Sequence, residues 1–230
     1  MMRFSLLLAD ADNTLFNFHA AERAAFSAVV ERFGLPATEE IFQTYRRINH
    51  KHWDLLNGGK TTSAQLRTAR FADFADAIGL HDADVQQMSD TFVAALCEQG
   101  ALVDGAQRFV QRAAAYMPVC LVTNGFAAVQ RSRVERSPLR PYLRELFISE
   151  DFDHAKPNPE MLLAAMSRFA ITDPARVVML GDSETSDIAA AVNAGVQSVL
   201  FTGGEPAPAQ TKATFTAQTL QQAGDWILDE

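Results

Sequence analysis

Two aspartates near the start of the chain, Asp10 and Asp12, directly follow an apolar stretch. Residues 4–8 are almost continuously apolar, which is typical of a strand buried on both faces of a sheet. Residues two apart in an extended chain point the same way, so both carboxylates are expected in one pocket. Close like charges push their pKa values apart, which suits an ionised nucleophile beside a proton carrier. The two residues alone are also consistent with an Asp-rich turn after a core strand.

A second pattern indicates a site for a small anion. Thr123 and Asn124 end another apolar run, 118–124, and Lys156 comes just before a predicted helix. A hydroxyl group followed by backbone N–H groups in a turn forms an anion cradle. Taken singly, Thr123 and Lys156 are also consistent with ordinary turn or surface residues.

A third pattern indicates a site for a hard cation. Asp182 ends the apolar run 177–182, and Asp187 lies five residues further on, near the first turn of a predicted helix. Mg²⁺ typically takes one or two carboxylates together with phosphate oxygens and water. With Asp10, these residues therefore predict a magnesium site.

The elements that must position these residues alternate between strand and helix, which predicts a parallel, doubly wound α/β sheet. Strands are predicted at 4–8, 118–124, 146–149, 177–182 and 198–203. Helices are predicted at 105–115, 126–136, 158–170 and 184–194. Ligands of such sheets bind beyond the carboxyl ends of the strands, so the polar residues above are expected to meet there.

Residues 18–98 hold no comparable strand and instead predict an inserted helical domain. Four amphipathic helices are predicted, at 20–33, 38–56, 61–78 and 83–97. The expected organisation is an α/β core at 1–17 and 99–230 with a helical cap at 18–98. Such a cap would set specificity and exclude water on closing.

One face of the second cap helix is a candidate for substrate contact. Tyr45, Asn49 and Trp53 recur every four residues, so they share one side of that helix. The face would stack on and hydrogen-bond a nucleobase. Alternatively, it forms part of an aromatic core of the cap.

Composition limits the classes of partner. A net charge of −8 over 230 residues argues against a nucleic-acid polymer. Membrane spans need roughly 20 apolar residues and signal peptides a longer apolar region than 4–8, so we predict a cytoplasmic protein. Cys97 and Cys120 fit no metal spacing and favour separate thiols. The sequence gives no indication of oligomeric state.

The candidate residues occur in the order of four known motifs. The first is D-x-D-x-T-[LV] at 10–15, the second ends in Thr123, the third is Lys156, and the fourth is G-D-x-x-x-x-D at 181–187. Together they resemble the haloacid dehalogenase (HAD) superfamily over the whole chain, including the helical cap. The stretches "VTNGF", "AKPNPE", "GDSETSDI" and "YRRINHKHWDLLNGGKTTSAQLRTARF" resemble the YjjG-type pyrimidine 5′-nucleotidases.

The resemblance implies hydrolysis of a nucleoside 5′-monophosphate through an aspartyl-phosphate. Asp10 would be the nucleophile, and Asp12 would protonate the leaving alcohol and then take a proton from water. Lys156 would neutralise charge on Asp10 and on the phosphate. Thr123 and the Asn124 backbone would hold phosphate oxygens.

The resemblance also implies Mg²⁺ as cofactor. Its ligands would be the carboxylates of Asp10 and Asp182 and the backbone carbonyl of Asp12. Asp187 would be a supporting carboxylate near the metal or Lys156.

Other functions on the same fold are distinguished by the residue at position 12. In dehalogenases the first motif is similar to D-x-Tyr. Phosphonatases carry alanine at the position of Asp12 and use a cap lysine that forms a Schiff base. Mutases such as β-phosphoglucomutase keep both aspartates, so sugar phosphates or other small phosphoesters are alternative substrates. A non-catalytic binding protein is a further alternative, although it would be expected to have lost one of the four motifs.

Overall fold

The structure, a computed structural model, describes residues 3–228. The chain divides into two compact units. One comprises the chain up to Phe18 and from Gly100 onwards, and the other is His19–Gln99. The division of labour between these units as catalytic core and specificity cap stays a prediction.

Within residues 3–228, six parallel strands form one sheet in the order β3-β2-β1-β4-β5-β6. The strands are β1 (Leu6–Ala9), β2 (Val119–Thr123), β3 (Leu143–Ile148), β4 (Val177–Gly181), β5 (Gln197–Phe201) and β6 (Phe215–Ala217). The chain builds the sheet outwards from β1, first through β2 to β3 on one side and then through β4 and β5 to β6 on the other. Parallel neighbours of this kind are joined by crossover connections. The doubly wound α/β fold with a helical insertion that the sequence predicts is confirmed.

The three central strands end within two residues of one another. Ala9, the last residue of β1, pairs with Leu121 of β2 and Leu180 of β4. The backbone N–H of Asp10 then donates to the carbonyl of Leu180 at 2.8 Å, which extends the pairing by one residue. The residues that follow these strands therefore start at one edge of the sheet.

Helices cover both faces of the sheet. They are α5 (Ala106–Ala114), α6 (Ala127–Arg136), α7 (Glu160–Arg168), α8 (Ala189–Ala194) and α9 (Leu220–Leu228). Leu7 and Ala9 pack with the apolar side chains of α5, α6 and α9, whereas Leu6 and Leu8 pack with those of α7 and α8. Both faces of β1 are thus buried, which explains its continuous apolar sequence.

Two regions differ from the sequence prediction. The patterns did not predict β6 or α9; β6 has only three residues, two of them half-buried at the sheet edge. The predicted helix 184–194 is divided into a π-helical turn, Glu184–Ile188, and α8. The side chain of Ser183 accepts the N–H of Ser186 at the start of this turn. Such wide turns are often found at functional sites.

The second unit is all helical. Its helices are α1, which begins in the first unit (Phe18–Phe33), α2 (Glu39–Asn57), α3 (Ser63–Ala77) and α4 (Val85–Cys97). The side chains of Thr38, Thr62 and Asp84 cap the last three, as their residue types favour. Across residues 3–228, no helix is both long and apolar enough to cross a bilayer.

Candidate active site

The carboxyl edge of the sheet brings the predicted polar residues together. Asp10 follows β1, Thr123 ends β2, and Asp182 follows β4. Lys156 reaches the same edge from the loop before α7, because its Nζ atom donates to the carbonyl of Val122 in β2 at 2.6 Å.

Lys156 lies at the centre of this arrangement. Its side chain is 1% exposed, and Nζ lies 2.6 Å from Oδ1 of Asp10 and 2.6 Å from Oδ1 of Asp187. The Asn124 side chain fixes the lysine backbone, since its Oδ1 accepts the Lys156 N–H and its Nδ2 donates to the Lys156 carbonyl, both at 2.9 Å. The end of β2 therefore holds both the loop and the ammonium group.

Three carboxylates gather around the lysine. Oxygen atoms of Asp10, Asp182 and Asp187 all lie within 4.8 Å of one another. Asp187 reaches this position from the π-helical turn, where its Oδ2 also accepts the Ser183 N–H at 3.0 Å. A Cβ atom on Gly181 would overlap the Asp187 carboxylate, so glycine is required beside it.

The concentration of negative charge alters the protonation of this cluster. Burial raises the pKa of Asp10 well above its usual value; Lys156 opposes this, while Asp187 and Asp182 add to it. Neighbouring protein atoms shield the Asp182 carboxylate from water, and this desolvation together with the negative charge of Asp187 raises its pKa to about 7. Other parts of the Asp182 residue remain exposed. Burial lowers the pKa of Lys156, but Asp10 and Asp187 outweigh this effect and raise it.

The turn after β2 lies where the sequence predicts an anion cradle, and that role stays a prediction. Thr123 is buried, and its Oγ1 accepts the backbone N–H of Gly125 at 3.0 Å. The carbonyl of Asn124 accepts a longer hydrogen bond, 3.4 Å, from the Ser149 hydroxyl. The Thr123 hydroxyl and the Gly125 amide thus lie in one tight turn, which the Asn124 side chain joins to the backbone of Lys156.

Asp12 has partners that the sequence analysis missed. Its Oδ2 accepts from Nε2 of Gln130 at 2.7 Å, and its Oδ1 lies 2.5 Å from Nη1 of Arg133. Both partners lie on α6 and are almost fully buried. The sequence offered one signal for these partners: two polar residues spaced three apart on a predicted helix that begins just after the second motif. Because β1 ends at Ala9, the two aspartates are outside the strand and contact different groups.

The three cap residues of α2 occupy different environments. Tyr45 is fully buried, with its ring 4.5 Å from that of Phe26 and 5.5 Å from that of Phe71. Tyr45 therefore belongs to an aromatic core of the helical unit and is not exposed for contact with a substrate.

Asn49 is also buried. Its Nδ2 donates to Oε1 of Glu22 at 2.7 Å, and its Oδ1 accepts from Nη1 of Arg70 at 2.9 Å. Trp53 is half-buried. The role of this face in specificity stays a prediction.

The doubly wound parallel sheet carries clustered carboxylates and a buried lysine at its carboxyl edge, which is where α/β proteins of this class bind their ligands. The family model for haloacid dehalogenase-like hydrolases matches residues 4–195. This chain belongs to the haloacid dehalogenase-like hydrolases, as the four motifs predicted.

Individual relatives span the chain almost completely. Pyrimidine 5′-nucleotidase YjjG of Escherichia coli is 30% identical over 96% of this chain and 96% of its own length. Ribulose-1,5-bisphosphate 5-phosphatase of Halopiger xanaduensis is 26% identical over 94% of this chain and 92% of its own. The magnesium-bound structure of the HAD-hydrolase YfnB from Bacillus subtilis has a TM-score of 0.91 at 27% identity, covering 99% of this chain and 100% of that one.

Proposed function

We propose that this chain is a Mg²⁺-dependent phosphomonoesterase that hydrolyses nucleoside 5′-monophosphates through an aspartyl-phosphate. The observation that carries the proposal is the contact of the buried Lys156 ammonium with Asp10 and Asp187 inside the carboxylate cluster. In this contact the ammonium partly neutralises Asp10, the proposed nucleophile. The proposed cation site and the proposed phosphate-binding turn lie next to it.

The charges of the cluster fit a divalent metal. Asp10, Asp182 and Asp187 face a single lysine, so two negative charges remain uncompensated when all three are ionised. Mg²⁺ prefers carboxylate and carbonyl oxygens, and here the proposed ligands are the carboxylates of Asp10 and Asp182 and the Asp12 carbonyl. When bound, Mg²⁺ would neutralise charge on the phosphate oxygens. Asp187, held by Lys156, is the supporting carboxylate.

The proposed reaction has two steps. Asp10 attacks the phosphorus, the bond from phosphorus to the ester oxygen breaks, and the Asp12 carboxyl group gives its proton to that oxygen, which leaves as an alcohol. A water molecule then attacks the phosphorus of the aspartyl-phosphate, and Asp12 takes a proton from it. The phosphorus–Asp10 bond breaks, which releases inorganic phosphate and restores Asp10.

The remaining residues bind the phosphate. Lys156 lies against the nucleophile and would offset charge that accumulates on the phosphoryl group. The Thr123 hydroxyl and the Asn124 backbone would donate to phosphate oxygens, as the turn after β2 is suited to do. Positioning and electrostatic stabilisation supply most of the catalysis in such reactions.

The proposed substrate is a nucleotide because the relative at 30% identity, which covers nearly the whole chain, is a pyrimidine 5′-nucleotidase. On the cap, Asn49 and Trp53 would contribute to selection of the base, with Tyr45 supporting α2 from the interior. A sugar phosphate is the second candidate, favoured by the ribulose bisphosphate phosphatase relative. Among the described residues Cys97 and Cys120 form no disulfide, which fits the reducing cytoplasm that we propose as the location of the enzyme.

The test is phosphate release from nucleoside monophosphates and sugar phosphates, with Mg²⁺ or with EDTA, for the wild type and Asp10→Asn. Metal-dependent release that favours dUMP, UMP and dTMP and is lost in the variant supports the proposal. Release led by sugar phosphates keeps the chemistry and rejects the nucleotide assignment. Absence of release from every substrate points to a different phosphoester or to a binding protein.

A further inference from the structure

We propose that Gln130 and Arg133 are positioning residues that fix the Asp12 carboxylate beside the phosphate-binding turn. The inference rests on the proposed function, in which Asp12 transfers the proton of the leaving alcohol. It assigns to α6 a part in the chemistry that none of the four motifs contains.

The first argument is the number and placement of the contacts. Each oxygen of the Asp12 carboxylate has its own donor, Arg133 Nη1 for Oδ1 and Gln130 Nε2 for Oδ2. One donor would leave the carboxylate able to rotate about its bond to Cβ. Two donors on separate oxygens fix both its position and the plane of the group. Because they lie three residues apart on α6, a single rigid face of that helix holds both.

The second argument is burial. Gln130 and Arg133 are each 1% exposed, whereas the Asp12 side chain is 26% exposed. The donors are therefore inside the protein, and the carboxylate they hold is open on another side. The Arg133 guanidinium also lies 4.6 Å from the centre of the Phe16 ring. A buried arginine is costly unless its charge is paired, so this contact with Asp12 is one on which the local structure depends.

The third argument is the glycine of the phosphate-binding turn. A Cβ atom on Gly125 would overlap the side-chain amide of Gln130 and would lie 3.2 Å from Oδ2 of Asp12. Glycine therefore leaves the space through which Gln130 reaches Asp12. It also places Oδ2 of Asp12 against the turn in which Thr123 accepts the Gly125 N–H.

The consequence concerns the leaving group. A proton donor acts only within about 2.6–3.2 Å of the accepting oxygen, so a carboxyl group that rotates away loses its effect. Nucleoside alkoxides are poor leaving groups and need this proton. p-Nitrophenolate leaves without one. Loss of Gln130 or Arg133 should therefore slow formation of the aspartyl-phosphate from a nucleotide and leave its formation from p-nitrophenyl phosphate nearly unchanged.

The experiment measures the first turnover with Mg²⁺ for Gln130→Met and Arg133→Met, with dUMP and with p-nitrophenyl phosphate. We expect the first turnover of dUMP to slow by about tenfold to a hundredfold, less than the roughly 10²–10⁴-fold that a general acid contributes, because the acid is misplaced and not removed. With p-nitrophenyl phosphate we expect a burst of p-nitrophenol at close to the wild-type rate. Slower turnover follows the burst, because hydrolysis of the aspartyl-phosphate needs Asp12 with either substrate.

Two controls separate positioning from folding. Val129→Ala removes buried side-chain volume from α6, and Arg131→Met removes an exposed arginine that contacts Asp151. Both should leave the ratio of the two first-turnover rates unchanged, even where the melting temperature falls. Combining Gln130→Met with Asp12→Asn should slow the first turnover of dUMP no further than Asp12→Asn alone, because the amide then has no acid to orient.

The outcomes distinguish the two proposals. Equal loss with both substrates, no loss with either, or additive effects in the double variant would overturn the positioning role while leaving a nucleotidase that depends on Asp10. If the wild type releases no product from either substrate, the proposed function fails and this inference fails with it.

Discussion

The Nζ atom of Lys156 lies 2.6 Å from Oδ1 of Asp187, although Lys156 comes from the loop after β3 and Asp187 from the π-helical turn after β4. The same nitrogen lies 2.6 Å from Oδ1 of Asp10, so one buried cation joins two carboxylates. The ammonium is therefore both a structural partner and a candidate catalytic charge.

Removal of this cation should affect folding as well as activity. We expect Lys156→Met to abolish phosphate release and to lower the free energy of unfolding by about 3–5 kcal/mol, the usual result of leaving buried charges without a partner. Urea denaturation in EDTA measures the loss. Added Mg²⁺ should recover part of it, since the metal replaces some of the missing positive charge. The exposed Lys60→Met is the matched control, and an equal loss there would contradict the argument.

Gly181 should not tolerate a side chain. In Gly181→Ala the new methyl group would meet the Asp187 carboxylate, so we expect about 1–3 kcal/mol of destabilisation from overpacking and a loss of activity of at least about tenfold. Gly100→Ala is the control, because among the described residues no atom outside its chain neighbours would lie within 4 Å of its Cβ. Thermal melts and initial rates of both variants decide the point; similar effects would show that the space beside Asp187 is not the cause.

Stability without metal should fall as pH rises towards neutrality. The pKa of Asp182 is raised from 3.8 to about 7, so between these values the unfolded chain releases a proton that the folded protein retains. The unfolded state then binds fewer protons, and the free energy of unfolding decreases across this range. Melting temperatures in EDTA from about pH 4 to 7 test the slope, which Asp182→Asn should reduce.

The affinity for Mg²⁺ should rise with pH, whereas the stability of the metal-free protein should fall. Carboxylates bind metal in the ionised form, so the affinity for Mg²⁺ should rise between about pH 6 and 8 as Asp182 loses its proton. Titration calorimetry at the two pH values measures the difference. An affinity that does not change with pH, or an undiminished change in Asp182→Asn, would show that Asp182 is not the group responsible.

The contribution of the buried hydrogen bonds of Asn49 to stability should be measurable by a single substitution on α2. Asn49→Ala removes a side chain that donates to Glu22 and accepts from Arg70, and we expect about 1–3 kcal/mol of destabilisation from the unsatisfied buried partners. If this face also contacts the base, the KM for a nucleotide should rise more than the KM for a simple phosphate ester. Gln43→Ala, at an exposed position of α2, is the control. Equal changes in KM for both substrates would leave Asn49 a purely structural residue of the cap.

The sequence was sufficient to predict the class of fold and most of the strand ends. Continuous apolar runs mark strands buried on both faces, and chemistry-bearing residues just after them fall at one edge of a parallel sheet. Asp10, Thr123 and Asp182 could therefore be placed together before the structure was known. The short edge strand β6 could not be, because three residues, two of them half-buried, leave little periodic signal.

Only the tertiary structure decided which groups contact these residues. Gln130 and Arg133 lie 118 and 121 positions beyond Asp12, and helical periodicity says which residues share a face without saying what that face meets. The same limit applies to the glycines. Gly125 and Gly181 are needed because side chains from elsewhere occupy the space of their missing Cβ atoms, and that space exists only once the strands and helices have packed.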